Sequence, residues 1–314
     1  MTASAEHFLD KSQGKFSFSG REEPALRIAP GTGERIAFET SDAVYAELHV
    51  HHDLDRLTVG INPVTGPVFV DGAEPGDALI VTIHEILLND CGWSVSLPGT
   101  GALRHVMGRE MFTRRIPIDA DGVHVTDRHV FDARPMIGCI GTAPAEGENS
   151  TVMPSFAGGG NMDLTGCRPG SKVYLPVMVE GAYLSIGDIH ALMAEGESSF
   201  VAIEAEGTAV ISIELAKDMN LRAPGSRPVR NGSSSAWATQ SRKASPAATK
   251  TCSTSSSRTT AGSGKTPTPC SVQSATPVSA DRQDHRRRTR STRSPPVGAV
   301  TVHRLPKSVL TPQS

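Results

Sequence analysis

Between about Phe16 and Leu215 the apolar positions come in short, β-branched stretches, separated by Gly, Pro, Asn and Asp at strand-turn-strand intervals. Strands are predicted at Arg35 to Thr40, Val44 to Val50, Pro67 to Asp71, Ala78 to Ile86, Lys172 to Val179 and Ala209 to Leu215. Within ALIVTIHEI, Leu79, Val81, Ile83 and Glu85 share one face and Ile80, Thr82, His84 and Ile86 the other, so this strand reads as buried on both sides. A single short helix is expected from about Asp188 to Met193. The pattern predicts a β-rich α+β fold: antiparallel strands in a sandwich or barrel-like arrangement, with few helices.

Past Leu215 the pattern stops. After Ile213 there is no further Ile, Phe or Tyr, and 31 of the final 94 residues are Ser or Thr. Such a segment buries too little apolar area to offset its ordering entropy. The charge divides at the same place, with a net of −16 over residues 1–220 and +14 over the rest. The chain is therefore expected to consist of a folded domain over 1–222, a basic and disordered stretch over 223–300, and a short ending over 301–314. GC-rich coding DNA read out of frame yields this kind of Arg, Ser, Thr, Ala and Pro mixture, so a frameshifted stretch is the favoured origin over a basic tail for nucleic acid. The Arg-rich DRQDHRRRTRSTR permits salt-sensitive phosphate contacts but has no interleaved aromatics, which ranks nucleic acid last among the partners.

The five cysteines are odd in number and contain no CxxC pair, which argues against a disulfide framework or zinc ribbon and favours a reducing cytoplasm. No apolar run approaches the roughly 18 residues of a membrane span. Several strings resemble motifs without their context. HVHHDL lacks the last His of a binuclear zinc pattern, LPGTG lies mid-chain, GSGKT has no strand leading in, and there is no GxSxG elbow. Cys139 reads as a small buried residue.

The densest candidate chemistry lies between Phe156 and Glu197. Gly159 and Gly160, ahead of Asn161 and Asp163, let backbone amides approach a ligand or an oxyanion. Asp188 and His190 are two apart and face the same way if a strand runs through them; read instead as structure, Asp188 caps a helix and His190 is a core histidine. With Asp163 and Glu197 they make a one-histidine, three-carboxylate set suited to a divalent cation or to acid–base work on a water. In INPVTGPVFVDGAEPGD, Asn62 and Glu74 stay open as site residues beside a plain loop-and-hairpin reading.

These residues stand in strings that resemble the acetamidase/formamidase family: INPVTGPVFVDGAEPGDALIV, RPMIGCIGTAP, GGNMD and SKVYLPVMVEGAYLSIGDIHALMAEGE, in order and spacing up to about Arg222. The resemblance implies a homo-oligomer, dimer or trimer, that hydrolyses short aliphatic amides. It also implies a bound divalent metal, zinc or calcium, on Asp163, Asp188 and His190. Glu197, Asp163 and His190 are the expected catalytic residues, Glu197 as proton shuttle, with Asn62, Gly159 and Gly160 binding substrate. The family's helices and final strand are expected after Arg222, where only VHRLPKSVL resembles the ending. The alternative is an inactive family member serving as a β-rich metal-binding or assembly protein.

Overall fold

The computed structural model describes residues 5–106 and 108–229, with the backbone of 238–239. The elements that build the site, numbered in chain order, are β1 (Ile36–Glu39), α1 (Ala43–His51), β2 (Val64–Val70), β3 (Ala78–Ser96), β4 (Phe112–Asp119), β5 (Met136–Gly141), β6 (Gly159–Asn161), β7 (Ser171–Pro176), β8 (Leu184–Leu192), β9 (Ile203–Ala216) and β10 (Gly225–Pro228). Shorter strands join them in one 16-stranded sheet. Its main path runs β4-β3-β9-β8-β5-β6, all antiparallel. The parallel pairs are His7–Leu9 on β1 and Leu26–Ile28 on β2. The predicted β-rich, antiparallel class is the one observed.

The core follows from alternation along the long strands. Leu79, Val81 and Ile83 of β3 pack with Val173 and Leu175 of β7 and Ile211 and Ile213 of β9 in one buried cluster. The opposite face, with Ile80, Thr82 and His84, is half-buried, so β3 is not enclosed on both sides as its composition suggested. A register shift on β9 between Val210 and Ile211 leaves His84 without an opposite number, and alternation then changes phase: Glu85 is exposed and Ile86 buried. A second shift, opposite Ala205 to Gly207, falls between Leu88 and Gly92, and beyond it Trp93 and Val95 are buried as the strand continues to Ser96.

Two expected elements are corrected. Val44 to Val50 is not a strand but lies in α1. Its apolar residues at every second position fit a strand, yet Val44 and Leu48 are four apart, share one helical stripe and are buried, while Val50 is 73% exposed. Ser41 Oγ accepts from the Ala43 amide at the entry, and His52 closes the helix in the left-handed region at φ 49°. Conversely, the helix expected from Asp188 to Met193 lies in β8, bonded to neighbours along both edges. Both faces of β8 are buried, so apolar residues stand on either side of it, and with Ser185, Asp188 and His190 among them the sequence carries no clean period of two. The sheet also runs past Arg222: β10 pairs with β7 and with Ala238–Thr239. Apart from those segments, the tail and ending expected over 223–300 and 301–314 lie outside the described residues.

Candidate active site

The site forms where β8 changes partners. One edge of β8 pairs with β5 from Ser185 to His190. The other edge pairs with β2 up to Gly187, then with β9 from His190 onward. Asp188 sits at this changeover with φ 57°, a left-handed conformation rare in a strand and best tolerated by short polar side chains. Its carboxylate and the His190 ring meet there, Asp188 Oδ1 lying 3.5 Å from His190 Nε2. Glu204, at the start of β9 and opposite His190 in register, brings Oε2 to 3.4 Å from the same nitrogen. All three residues are buried.

Other elements complete the enclosure. Asp163 follows β6 and its amide donates to the Gly138 carbonyl at 3.2 Å. With its amide nitrogen turned toward the acid, Asn161 donates to both Asp163 carboxylate oxygens at 3.1 and 3.2 Å. Glu197 closes the turn after β8, its amide donating to Ala194 O, and its side chain is buried. Asn62, just before β2, donates from Nδ2 to Asp188 Oδ2 at 3.4 Å. Asn62, Asp163, Asp188 and Glu197 all have positive φ, between 42° and 57°. Four left-handed residues at one place are the kind of local backbone strain that functional sites hold against the rest of the fold.

Gly138 of β5 lies opposite Asp188, between the pairs Ile137–Ile189 and Cys139–Gly187. A Cβ there would stand 2.6 Å from Asp188 Oδ2 and 2.9 Å from His190 Nε2, so the cluster borders on space that only glycine leaves open. Cys139, read from sequence as plain core, is buried and donates its Sγ–H to Asp188 Oδ2 at 3.6 Å. Burial and the neighbouring acids Asp188 and Asp163 push its thiol well above the usual range, which keeps it a donor.

Two sets of side chains could hold a cation: Asp163, His190 and Glu197, and Asp188, His190 and Glu204, each with donor atoms within 4.8 Å of one another. The residues fit such an ion. Oxygen and nitrogen donors are mixed, the space before Gly138 is clear of side chain, and His190 Nδ1 is buried with no hydrogen-bond partner among the described residues.

Without metal, the electrostatics is that of acids gathered around one histidine. Burial opposes charge on His190, but the carboxylates of Glu204 and Asp188 outweigh it and hold the imidazole well above its ordinary value. For Asp188, burial is overcome by the His190 charge and by hydrogen bonds, and its pKa is lowered. Burial, then Asp163, pushes Glu197 up to about 10, and burial pushes Glu204 up to about 8 despite His190. These two glutamates hold protons in the folded chain that an unfolded chain releases near 4.5. Their contribution to stability is therefore complete below that value and is lost as pH rises through about 8 and then about 10. The raised His190 contribution is lost in the same direction, while that of Asp188 is lost only in acid. The metal-free chain is expected to lose stability steadily from about pH 5 to about pH 10. Urea unfolding across that range, repeated with Glu197→Gln to flatten the slope, checks this; a stability that does not fall with pH would mean the acids are ionised throughout.

The expected site residues thus converge in part. Asp163, Asp188, His190 and Glu197 come together, and Asn62 reaches Asp188. Gly159 and Gly160 lie in β6 against β5, with φ 115° and 92°. A Cβ on Gly159 would lie 2.3 Å from Ile140 O, and its N–H already donates to Phe156 O at 3.2 Å, so packing accounts for that glycine. Glu74 is exposed on its hairpin, where Lys217 bridges it to buried Asp77. His49 bonds Thr113 Oγ1 at 2.8 Å and packs on Trp93, as a structural group. Glu204, Gly138 and Tyr45 were not anticipated. The first of two acids in the otherwise apolar FVAIEAEG was the available signal for Glu204.

Comparison with known proteins gives a consistent result. Residues 145–239 match the profile of the Acetamidase/Formamidase family. A crystal structure of a recombinant predicted acetamidase/formamidase from Thermoanaerobacter tengcongensis superposes with a TM-score of 0.64 at 34% identity, over 71% of this chain and 73% of that one. An acetamidase from Bacillus halodurans gives 0.63 at 31% identity, over 70% and 74%. The formamidase of Methylophilus methylotrophus is 28% identical over 217 residues, 50% of this chain and 52% of its own. The chain spans about half the length of the first curated relatives it matches.

Proposed function

The chain belongs to the acetamidase/formamidase family, and from that premise we propose that it hydrolyses the C–N bond of short aliphatic amides, acetamide and formamide among them, to a carboxylic acid and ammonia. The observation that carries this reading is the buried cluster of acids around His190 at the fork of β8.

Amide nitrogen donates into its carbonyl, so hydrolysis requires an activated water, stabilisation of the oxyanion and protonation of the departing amine. Glu197, holding its proton at neutral pH, is the group suited to protonate that nitrogen. His190, kept positive by Asp188 and Glu204, supplies a fixed charge where negative charge develops. Asn62 orients Asp188 through one amide hydrogen and has a second to offer the substrate. With a divalent cation, zinc or calcium, Asp163, Asp188, His190 and Glu204 would be the ligands and Glu197 would stay the acid; His190 would then be neutral and the ion would supply the positive charge in its place. Such an ion would lower the pKa of water toward about 7 and polarise a carbonyl.

A cytoplasmic location accords with Cys91, Cys139 and Cys167 being free. Among the described residues no helix is long and apolar enough to cross a membrane. Assembly as a dimer or trimer accords with the half-exposed Val130 and Phe131 on the edge strand His129–Phe131.

The test is ammonia release from formamide, acetamide and propionamide by the purified full chain, before and after chelation. Release that chelation abolishes and added metal restores is the expected result. Persistent release after chelation would assign the chemistry to the acids and His190 alone. A folded sample that releases no ammonia from any amide would leave the metal-binding, non-catalytic family member as the reading.

A further inference from the structure

We propose that Tyr45 is a positioning residue of this site, one that fixes the orientation of the Asn62 amide and through it the Asp188 carboxylate. The proposal rests on the amidase reading for its kinetic consequence, and on geometry alone for the contact itself. Tyr45 is carried by α1, an element the sequence pattern hid, and its hydroxyl donates to Asn62 Oδ1 at 3.2 Å. The other end of the same amide donates to Asp188 Oδ2 at 3.4 Å. An unrestrained asparagine can turn its amide by half a rotation and present oxygen where nitrogen was, which would set two acceptors against each other at Asp188. The phenol weights that choice: by donating to Oδ1 it holds the oxygen end of the amide away from Asp188, and the carboxylate receives the N–H end.

The arrangement closes on itself. Tyr45 and Glu204 border the same space. A small pocket between α1 and the fork is lined by Val44, Tyr45, Asn62, Asp188, Ile189 and Glu204. Tyr45 thus bonds the residue before β2 and borders the start of β9, beside the changeover where buried Asp188 sits.

The tyrosine ring is held independently of its hydroxyl. It packs against the buried cluster of Leu48, Val95, Leu97 and Val201. Removal of the oxygen alone should therefore leave the ring, the helix and the fold in place, so Tyr45→Phe separates positioning from packing.

Tyr45→Phe is expected to lower kcat/KM for the best amide about tenfold, the loss of one neutral hydrogen bond. The same change made on Asn62→Gly, which suits the left-handed backbone at that position, should cost nothing further, because the tyrosine acts through the amide already removed. A second readout does not depend on turnover. The side-chain NH2 resonances of Asn62, assigned by their loss in Asn62→Gly, should shift and exchange faster in Tyr45→Phe. Full activity in Tyr45→Phe, an equal loss with and without Asn62, or unmoved Asn62 resonances would each overturn the proposal. If the wild-type chain hydrolyses no amide, the functional reading fails by itself and the resonances alone decide the role of Tyr45.

Discussion

His190→Ala is expected to abolish amide hydrolysis and to destabilise the chain more in acid and neutral solution than in alkali. His190 is the only cationic side chain in either set of candidate ligands, and it faces Asp188 at 3.5 Å and Glu204 at 3.4 Å. Its removal leaves those acids, with Asp163 and Glu197, buried without a positive partner. Breaking a buried pair in this way costs about 3–5 kcal/mol, less whatever the acids recover by taking up protons. For a domain of this size that corresponds to a fall in Tm of about 10 °C. The stabilisation from the His190 charge is whole in acid, where Asp188 with its lowered pKa still pairs with it, and is lost as pH rises through the raised His190 value, so the difference between variant and wild type should narrow in alkali. Paired melting curves at about pH 5 and about pH 9 test the sign. Equal stability at both values would show that His190 is an ordinary neutral core histidine. Retained ammonia release would remove it from the reaction.

Gly138→Ala should give the second large effect from a single methyl group. Gly138 is not among the residues of left-handed backbone, so alanine's own conformation is not the obstacle. The added Cβ would stand 2.6 Å from Asp188 Oδ2 and 2.9 Å from both Asp188 O and His190 Nε2. Since Asp188 O is backbone, relief cannot come from rotating one flexible side chain. Overpacking of this kind costs about 1–3 kcal/mol. The loss of activity should be larger, about a hundredfold or more, because displacement of reacting groups by a fraction of an ångström weighs heavily on rate. Gly108→Ala, whose Cβ meets nothing within 4 Å, is the neutral comparison. Ammonia release and Tm measured on both variants decide the matter: a fully active Gly138→Ala chain would mean that the space before Gly138 is not part of the site.

Local pattern was enough for the class of fold and pointed to several residues of the candidate site. Alternation marked β3 and the later half of β9, where one face lies toward the core and the other leaves a readable period of two, while β7, buried on both faces, was marked by its apolar run and bounding turn residues. Asp188 and His190 stood out two apart after an apolar run, and Asp163 and Glu197 joined them from the neighbouring GGNMD and MAEGE strings. Local pattern could not assign α1 or β8. In α1 an alternating pattern coincided with a four-residue spacing, and packing of Val44 and Leu48 decided for helix. In β8 burial on both faces erased the period. Only the tertiary structure decided what stands around His190. Glu204 lies on a different strand, Gly138 on a third and Tyr45 on a helix, and register brings them together at the point where β8 passes from β2 to β9. Pairings across such distances in sequence depend on bulges and left-handed residues, whose positions a one-dimensional pattern does not record.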